Sequence, residues 1–168
     1  MPICFFDTCA LKHRYIGSPQ GPRISRLIGR RSNRCHIADL TVLEMPCALG
    51  GHCRDKKLGV SAYDLMDHRF LADIAHQRLL VRQTSKLNVL RARNLLRLGG
   101  VIRRRNMGSG DALIASCGLD LAHDLKERIS FYTADWTLYT TLRDINAFTA
   151  AMTLHYILPP KAGIPATT

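Results

Sequence analysis

Ile3-Cys4-Phe5-Phe6-Asp7-Thr8-Cys9-Ala10-Leu11 opens with four apolar residues, places one carboxylate after them and continues in small and apolar residues. An apolar run this short reads as a strand buried on both faces, with Asp7 at its carboxyl end. Ile129-Ser130-Phe131-Tyr132-Thr133, followed by Ala134-Asp135-Trp136, repeats that arrangement near the other end of the chain. The segments between are mostly helical in pattern. Residues 22–34 read as a basic amphipathic helix with Pro22 in its first turn, an Ile24, Leu27 and Ile28 stripe, and Arg23, Arg26, Arg30 and Arg34 on another face. Thr41-x-x-Glu44 matches a capping box that puts Glu44 in the first turn of the next helix, which Pro46 should kink or delay. Ser61 opens a helix with Ala62, Met66, Phe70 and Ile74 at intervals of four, and residues 79–81 form a brief strand or a connection. Ser85 caps a further helix that Gly99-Gly100 ends, and Ser109 or Gly110 caps one covering about 111–123. A short helix starts at Trp136, and a last strand lies near 155–158. Strands separated by helices imply an α/β chain with a short, mostly parallel sheet covered on both faces. Ligands of such sheets bind beyond the carboxyl ends of the strands, where Asp7 and Asp135 fall.

With 168 residues and 46% hydrophobic content, the chain is expected to form one domain over 1–158, with a mobile Pro/Ala/Thr tail over 159–168. No apolar run reaches the roughly 18–20 residues of a membrane span, and the first residues lack the pattern of a signal peptide. A cytoplasmic location is the expectation. Six cysteines fit that compartment as free thiols. Cys35-His36, Cys47 and His52-Cys53 have zinc-ligand chemistry, but without any Cys-x-x-Cys pair partly buried thiols are the better reading. The formal charge is +11, carried by 18 Arg and 6 Lys. Arginine makes forked hydrogen bonds to phosphate, so a polyanionic partner is favoured over a merely charged surface. Arg23, Arg26, Arg30 and the run Arg103-Arg104-Arg105 are the candidates to contact such a polyanion, and a solvated face accounts for them about as well.

Against this basic background stand four acids in distinct local frames: Asp7, Glu44, Asp111 and Asp135. Gathered together they would repel one another unless a cation sat among them, and an all-carboxylate set suits a hard divalent ion such as Mg²⁺ or Mn²⁺. Such an ion lowers the pKa of bound water and neutralises phosphodiester charge, the two requirements of phosphodiester hydrolysis. Taken singly, each acid has a plainer reading as a turn residue or helix cap.

The frames resemble those of PIN-domain nucleases. Asp7-Thr8-Cys9-Ala10-Leu11-Lys12-His13-Arg14-Tyr15 is similar to their opening motif, Leu40-Thr41-Val42-Leu43-Glu44 to the second, Gly110-Asp111-Ala112-Leu113-Ile114-Ala115 to the third and Thr133-Ala134-Asp135-x-x-Leu138 to the fourth. The small size makes the chain most similar to VapC-type toxins of bacterial toxin–antitoxin pairs. That resemblance implies a three-layer α/β/α fold, Mg²⁺- or Mn²⁺-dependent endoribonuclease activity, frequent homodimers and inhibition by a cognate antitoxin. It implies metal-binding or water-orienting roles for Asp7, Glu44, Asp111 and Asp135, with Thr133 in support; Lys12 is the leading candidate to offset their charge.

Two other classes compete. Haloacid-dehalogenase phosphatases also carry an Asp after the first strand, but Cys9 occupies the place of their second Asp. A catalytically silent binding module would have no need of four self-repelling carboxylates. A PIN nuclease of RNA processing or DNA repair shares these motifs with a toxin, and the neighbouring reading frame would separate the two.

Overall fold

A computed structural model describes residues 1–102 and 107–159. The arginine run at 103–105 and all but the first residue of the expected tail at 159–168 lie outside the described residues. Five strands, β1 (Ile3–Phe6), β2 (Arg34–Ala38), β3 (Leu80–Arg82), β4 (Ile129–Thr133) and β5 (Met152–Tyr156), form one sheet in the order β3-β2-β1-β4-β5, with every neighbouring pair parallel. The helices are α1 (Thr8–Leu11), α2 (Gly21–Gly29), α3 (Asp39–Lys56), α4 (Val60–Ala75), α5 (Lys86–Arg97), α6 (Ser109–Leu125), α7 (Trp136–Arg143) and α8 (Asn146–Ala151).

Side chains alternate across the sheet, so its two faces build two cores. Ile3, Phe5, Ile129 and Phe131 pack against α5, α6, α7 and α8, while Cys4, Phe6, Cys35, Ile37 and Tyr132 pack against α1 to α4. β1 is buried throughout because β2 and β4 flank it and both faces are covered. Phe5 stacks on Phe131 and Phe6 on Tyr132 across the β1–β4 pairing. Truncating a fully buried Phe such as Phe5 to Ala should cost about 3–5 kcal/mol. Gly118 lets α6 lie close to this pair, since a Cβ there would stand 3.2 Å from the Phe131 ring.

The sequence-based boundaries need several corrections. The helix expected over 22–34 ends at Gly29, and Arg34 begins β2. Asn33 turns the chain by donating its backbone N–H to the Arg30 carbonyl at 2.9 Å and its side chain to the Leu27 carbonyl at 2.9 Å. β2 was hidden in the sequence because Cys, His and Ala carry little strand preference. There is no capping box at Thr41: α3 starts at Asp39, so Thr41 is already inside the first turn, and its buried hydroxyl has no hydrogen-bond partner. α3 then continues through Pro46. The missing proline N–H leaves one carbonyl a turn earlier without its helical donor. After Arg97 the chain passes through a wider turn over Leu98–Ile102 that includes both glycines. α6 is capped one residue earlier than expected, by the extended backbone of Gly108. The last strand, expected near 155–158, starts earlier, directly after α8, and ends at Tyr156. Ser85 does cap α5, in a reciprocal box with Asn88.

One buried ion cluster ties the second core together. Asp73 accepts from Arg14 Nε at 2.6 Å, Arg78 at 3.1 Å and the Tyr15 hydroxyl at 2.9 Å. Burial alone would raise its pKa, but the Arg14 guanidinium outweighs this and holds the carboxyl below its ordinary value. Cys35 and Cys53 lie in that core as free thiols, and Cys47 is exposed. Among the described residues, no helix is long and apolar enough to cross a membrane.

Candidate active site

The strand order reverses direction between β1 and β4, so a crevice opens past the carboxyl ends of those two strands. Asp7 enters it directly from β1. Its backbone N–H continues the ladder to the Tyr132 carbonyl at 3.1 Å. Its side chain caps α1 by accepting from the Ala10 N–H at 2.5 Å, and the other oxygen accepts from the Thr133 hydroxyl. That hydroxyl also accepts from the Asp135 N–H at 2.9 Å, so Thr133 links the first acid to the last. Asp135 in turn caps α7, accepting from the Leu138 N–H at 2.8 Å. The plainer reading of Asp135 as a helix cap therefore holds, and Asp7, which reads in the sequence as a turn residue, also caps a helix at the mouth of the crevice.

The remaining two acids arrive from helices. Glu44 projects from the second turn of α3 and accepts from the Thr8 hydroxyl at 2.5 Å. Asp111 lies in the first turn of α6. Gly110, beside it, presses so close to the Glu44 carboxylate that a Cβ would overlap one of its oxygens. A Cβ at Gly108 would likewise stand 2.9 Å from Asp111 Oδ2.

Electrostatics join all four. Asp7, 1% exposed, has its pKa pushed up to about 7. Burial is the main cause, the Thr133 and Ala10 hydrogen bonds oppose it, and the charges of Asp111 and Asp135 add to it. Asp111 is raised to about 6 by burial and then by Asp135 and Glu44. Cys9, next to Asp7, is pushed up to about 12 by burial and by the Asp7 charge. Among the described residues, no Lys or Arg pairs with any of the four acids. Lys12 instead lines a neighbouring cleft with Cys47, Gly51, His52 and Asp55.

The donor chemistry fits a hard divalent cation: oxygen ligands only, from four elements, with no ion pair to a Lys or Arg among the described residues. Among the described residues, no three such side chains already converge on one point. Glu44 is held by Thr8, Asp7 by Thr133 and Ala10, and Asp135 by Leu138, so an incoming cation would compete with these bonds.

Three of the basic candidates lie within the described residues. Arg23 and Arg26 are on the exposed side of α2. Arg30 lines a cleft with Arg31, Asn33, Gln77 and Arg78 ahead of β2 and β3, at the opposite end of the sheet from the acids. Sequence reasoning missed Thr8 and Gly110 as parts of the site. Thr8 stands next to Asp7 in the opening motif, but its bond to Glu44 depends on how α3 packs.

No protein-family model matches the chain, and no curated protein matches it. A solved structure does: a chain in the crystal structure of VapBC2 from Rickettsia felis bound to a DNA fragment from their promoter. The TM-score is 0.58 at 14% identity, over 91% of this chain and 98% of that one. At that identity the likeness is one of fold, and the α/β/α arrangement with its five-stranded parallel sheet is PIN-like.

Proposed function

We propose that the chain is a divalent-metal-dependent endoribonuclease of the PIN-domain kind and the toxin of a toxin–antitoxin pair. The observation that carries this reading is that Asp7 and Asp135 are linked through Thr133 past the carboxyl ends of β1 and β4, with Asp111 and Glu44 near enough for their charges to act within the same set. The likeness of fold to a chain of VapBC2 supports it.

Asp7, Glu44, Asp111 and Asp135 would hold Mg²⁺ or Mn²⁺. When bound, that ion supplies charge neutralisation at a phosphodiester and a water of lowered pKa. The protein's own contribution is positional. Thr133 fixes Asp7 and the Asp135 backbone together, and Thr8 fixes Glu44. The N-termini of α1, α6 and α7 point their N–H groups toward the acids, which favours negative charge there. The basic surface supplies long-range attraction for an RNA backbone.

A protein partner is supported by an apolar groove of about 610 Å³ lined by Leu40, Val42, Leu43, Leu71, Ile74 and Leu113. Leu43, 74% exposed on the helix turn that carries Glu44, extends that groove to the edge of the site. A cognate antitoxin seated there would reach the acids; a second copy of the chain is the other candidate occupant. Cleavage of single-stranded RNA with Mn²⁺, its loss with EDTA and its loss in Asp7→Asn are the expected results. Metal-independent cleavage, or a fully active Asp7→Asn variant, would refute the mechanism. A small adjacent gene for a DNA-binding protein would support the toxin assignment over a role in RNA processing or DNA repair.

A further inference from the structure

Three aromatic rings stand together beside the carboxylates. Trp136 follows Asp135 directly as the first residue of α7, Tyr139 lies one turn later, and Tyr156 comes from β5. Ring centroids are 5.6 Å apart for Trp136 and Tyr139, 5.1 Å for Trp136 and Tyr156, and 5.6 Å for Tyr139 and Tyr156. The sheet register fixes their place. Phe6 pairs with Tyr132, so Asp7 and Thr133 come next on their strands, and Thr133 pairs with Tyr156. Paired positions share a face, so Asp7, Thr133 and Tyr156 form one row across three neighbouring strands. The Asp135 charge is felt at the Tyr156 phenol, which burial and then that charge raise above its ordinary pKa.

None of the three rings is buried in either core; each is partly exposed. They therefore keep part of their surface open, unlike Phe5, Phe6 and Phe131, which are fully buried. Arg143, at the end of α7, holds its guanidinium 5.9 Å from the Tyr139 ring centroid and also approaches Asp144 at 3.6 Å. Partly exposed rings, an arginine and an adjoining carboxylate crevice match the parts of a nucleotide: a flat base, a phosphate and a scissile bond. Aromatic side chains bind unpaired bases by stacking, which a duplex would not allow.

We infer that Trp136, Tyr139 and Tyr156 form a stacking platform for a nucleobase of a single-stranded nucleic acid whose backbone crosses the carboxylate pocket. The inference rests on the nuclease reading but is tested separately from it. Trp136 is the chain's single tryptophan, so its fluorescence reports on this site alone.

The test titrates the full-length protein in EDTA, where no cleavage interferes, with labelled single-stranded RNA, single-stranded DNA of the same sequence, duplex RNA and inorganic polyphosphate. Anisotropy reports binding and tryptophan emission reports stacking. Single strands should bind and quench Trp136; polyphosphate should bind without quenching, and duplex should quench weakly. A response to RNA alone, or to RNA and DNA alike, identifies the strand type. Trp136→Ala should weaken single-strand binding about tenfold, with Trp136→Phe within about threefold of the parent. Saturable binding of single strands with unchanged Trp136 emission overturns the inference without needing any variant to fold. A folded Trp136→Ala that binds as the parent does overturns it too. Cleavage with Mn²⁺ is measured in parallel. Cleavage with a silent tryptophan removes the platform and leaves the nuclease; quenching without cleavage does the reverse. Absence of both removes both.

Discussion

Asp7→Asn should stabilise the metal-free protein, and the gain should grow with pH. In the folded chain the Asp7 carboxyl ionises at about 7, against an ordinary value of 3.8. Below 3.8 the folded and unfolded states both hold the proton, and nothing is lost. Between 3.8 and 7 the folded chain retains a proton that the unfolded chain has released, so stability falls as pH rises, and the loss is complete above 7. At about 1.4 kcal/mol per pH unit, the full penalty is about 4 kcal/mol, of which about 2 kcal/mol is already present at pH 5. Asparagine never pays this penalty, and it can keep the local bonds. Its carbonyl accepts from Ala10, and its amide can donate to the Thr133 hydroxyl, which has acceptor capacity left. With a urea slope of about 2 kcal/mol per molar, the gain in midpoint should be about 1 M larger at pH 8 than at pH 5. Urea unfolding followed by circular dichroism in EDTA measures it. Equal gains at the two pH values, or a loss at pH 8, would refute the account of Asp7 as a desolvated carboxyl. Saturating Mn²⁺ should reverse the order, because only the parent then gains stability by binding.

Thr133→Val removes a donor to Asp7 and an acceptor for the Asp135 N–H; it should cost about 1–3 kcal/mol in urea unfolding and raise the Asp7 pKa further. Gly110→Ala should displace the flexible Glu44 side chain, weakening Mn²⁺ binding in calorimetry while the melting temperature moves little; an unchanged affinity would count against Glu44 as a ligand. Asp73→Ala leaves Arg14 and the Tyr15 hydroxyl without their buried acceptor and should destabilise by about 3–5 kcal/mol, with Mn²⁺ affinity of the folded fraction unchanged.

The parts of this fold that the sequence displayed were those where side-chain chemistry is local. β1 and β4 announced themselves by continuous apolar runs, and the Ser85 cap by its own hydroxyl. β2 did not, because Cys35-His36-Ile37-Ala38 becomes a strand by insertion between β1 and β3 and not by propensity. The four acids were legible from their frames, yet the frames could not show what holds them. Thr8 reaches Glu44 across 36 residues, and Gly110 fits against Glu44 only because α3 and α6 meet there. Lys12 looked suited to offset the acids by its nearness in sequence to Asp7, but the turn after α1 carries it into a different cleft. Tyr156 gave no signal at all, since its place depends on the pairing of β5 with β4.

The bond between Thr133 and Asp7 spans 126 positions and joins the first strand to the fourth. During synthesis, Asp135 emerges 128 residues after Asp7. Until β4 emerges, one edge of β1 stays open and the acids have no common pocket. A chain without β4 would therefore leave Asp7 without its Thr133 partner and β1 prone to pair with another strand through that bare edge.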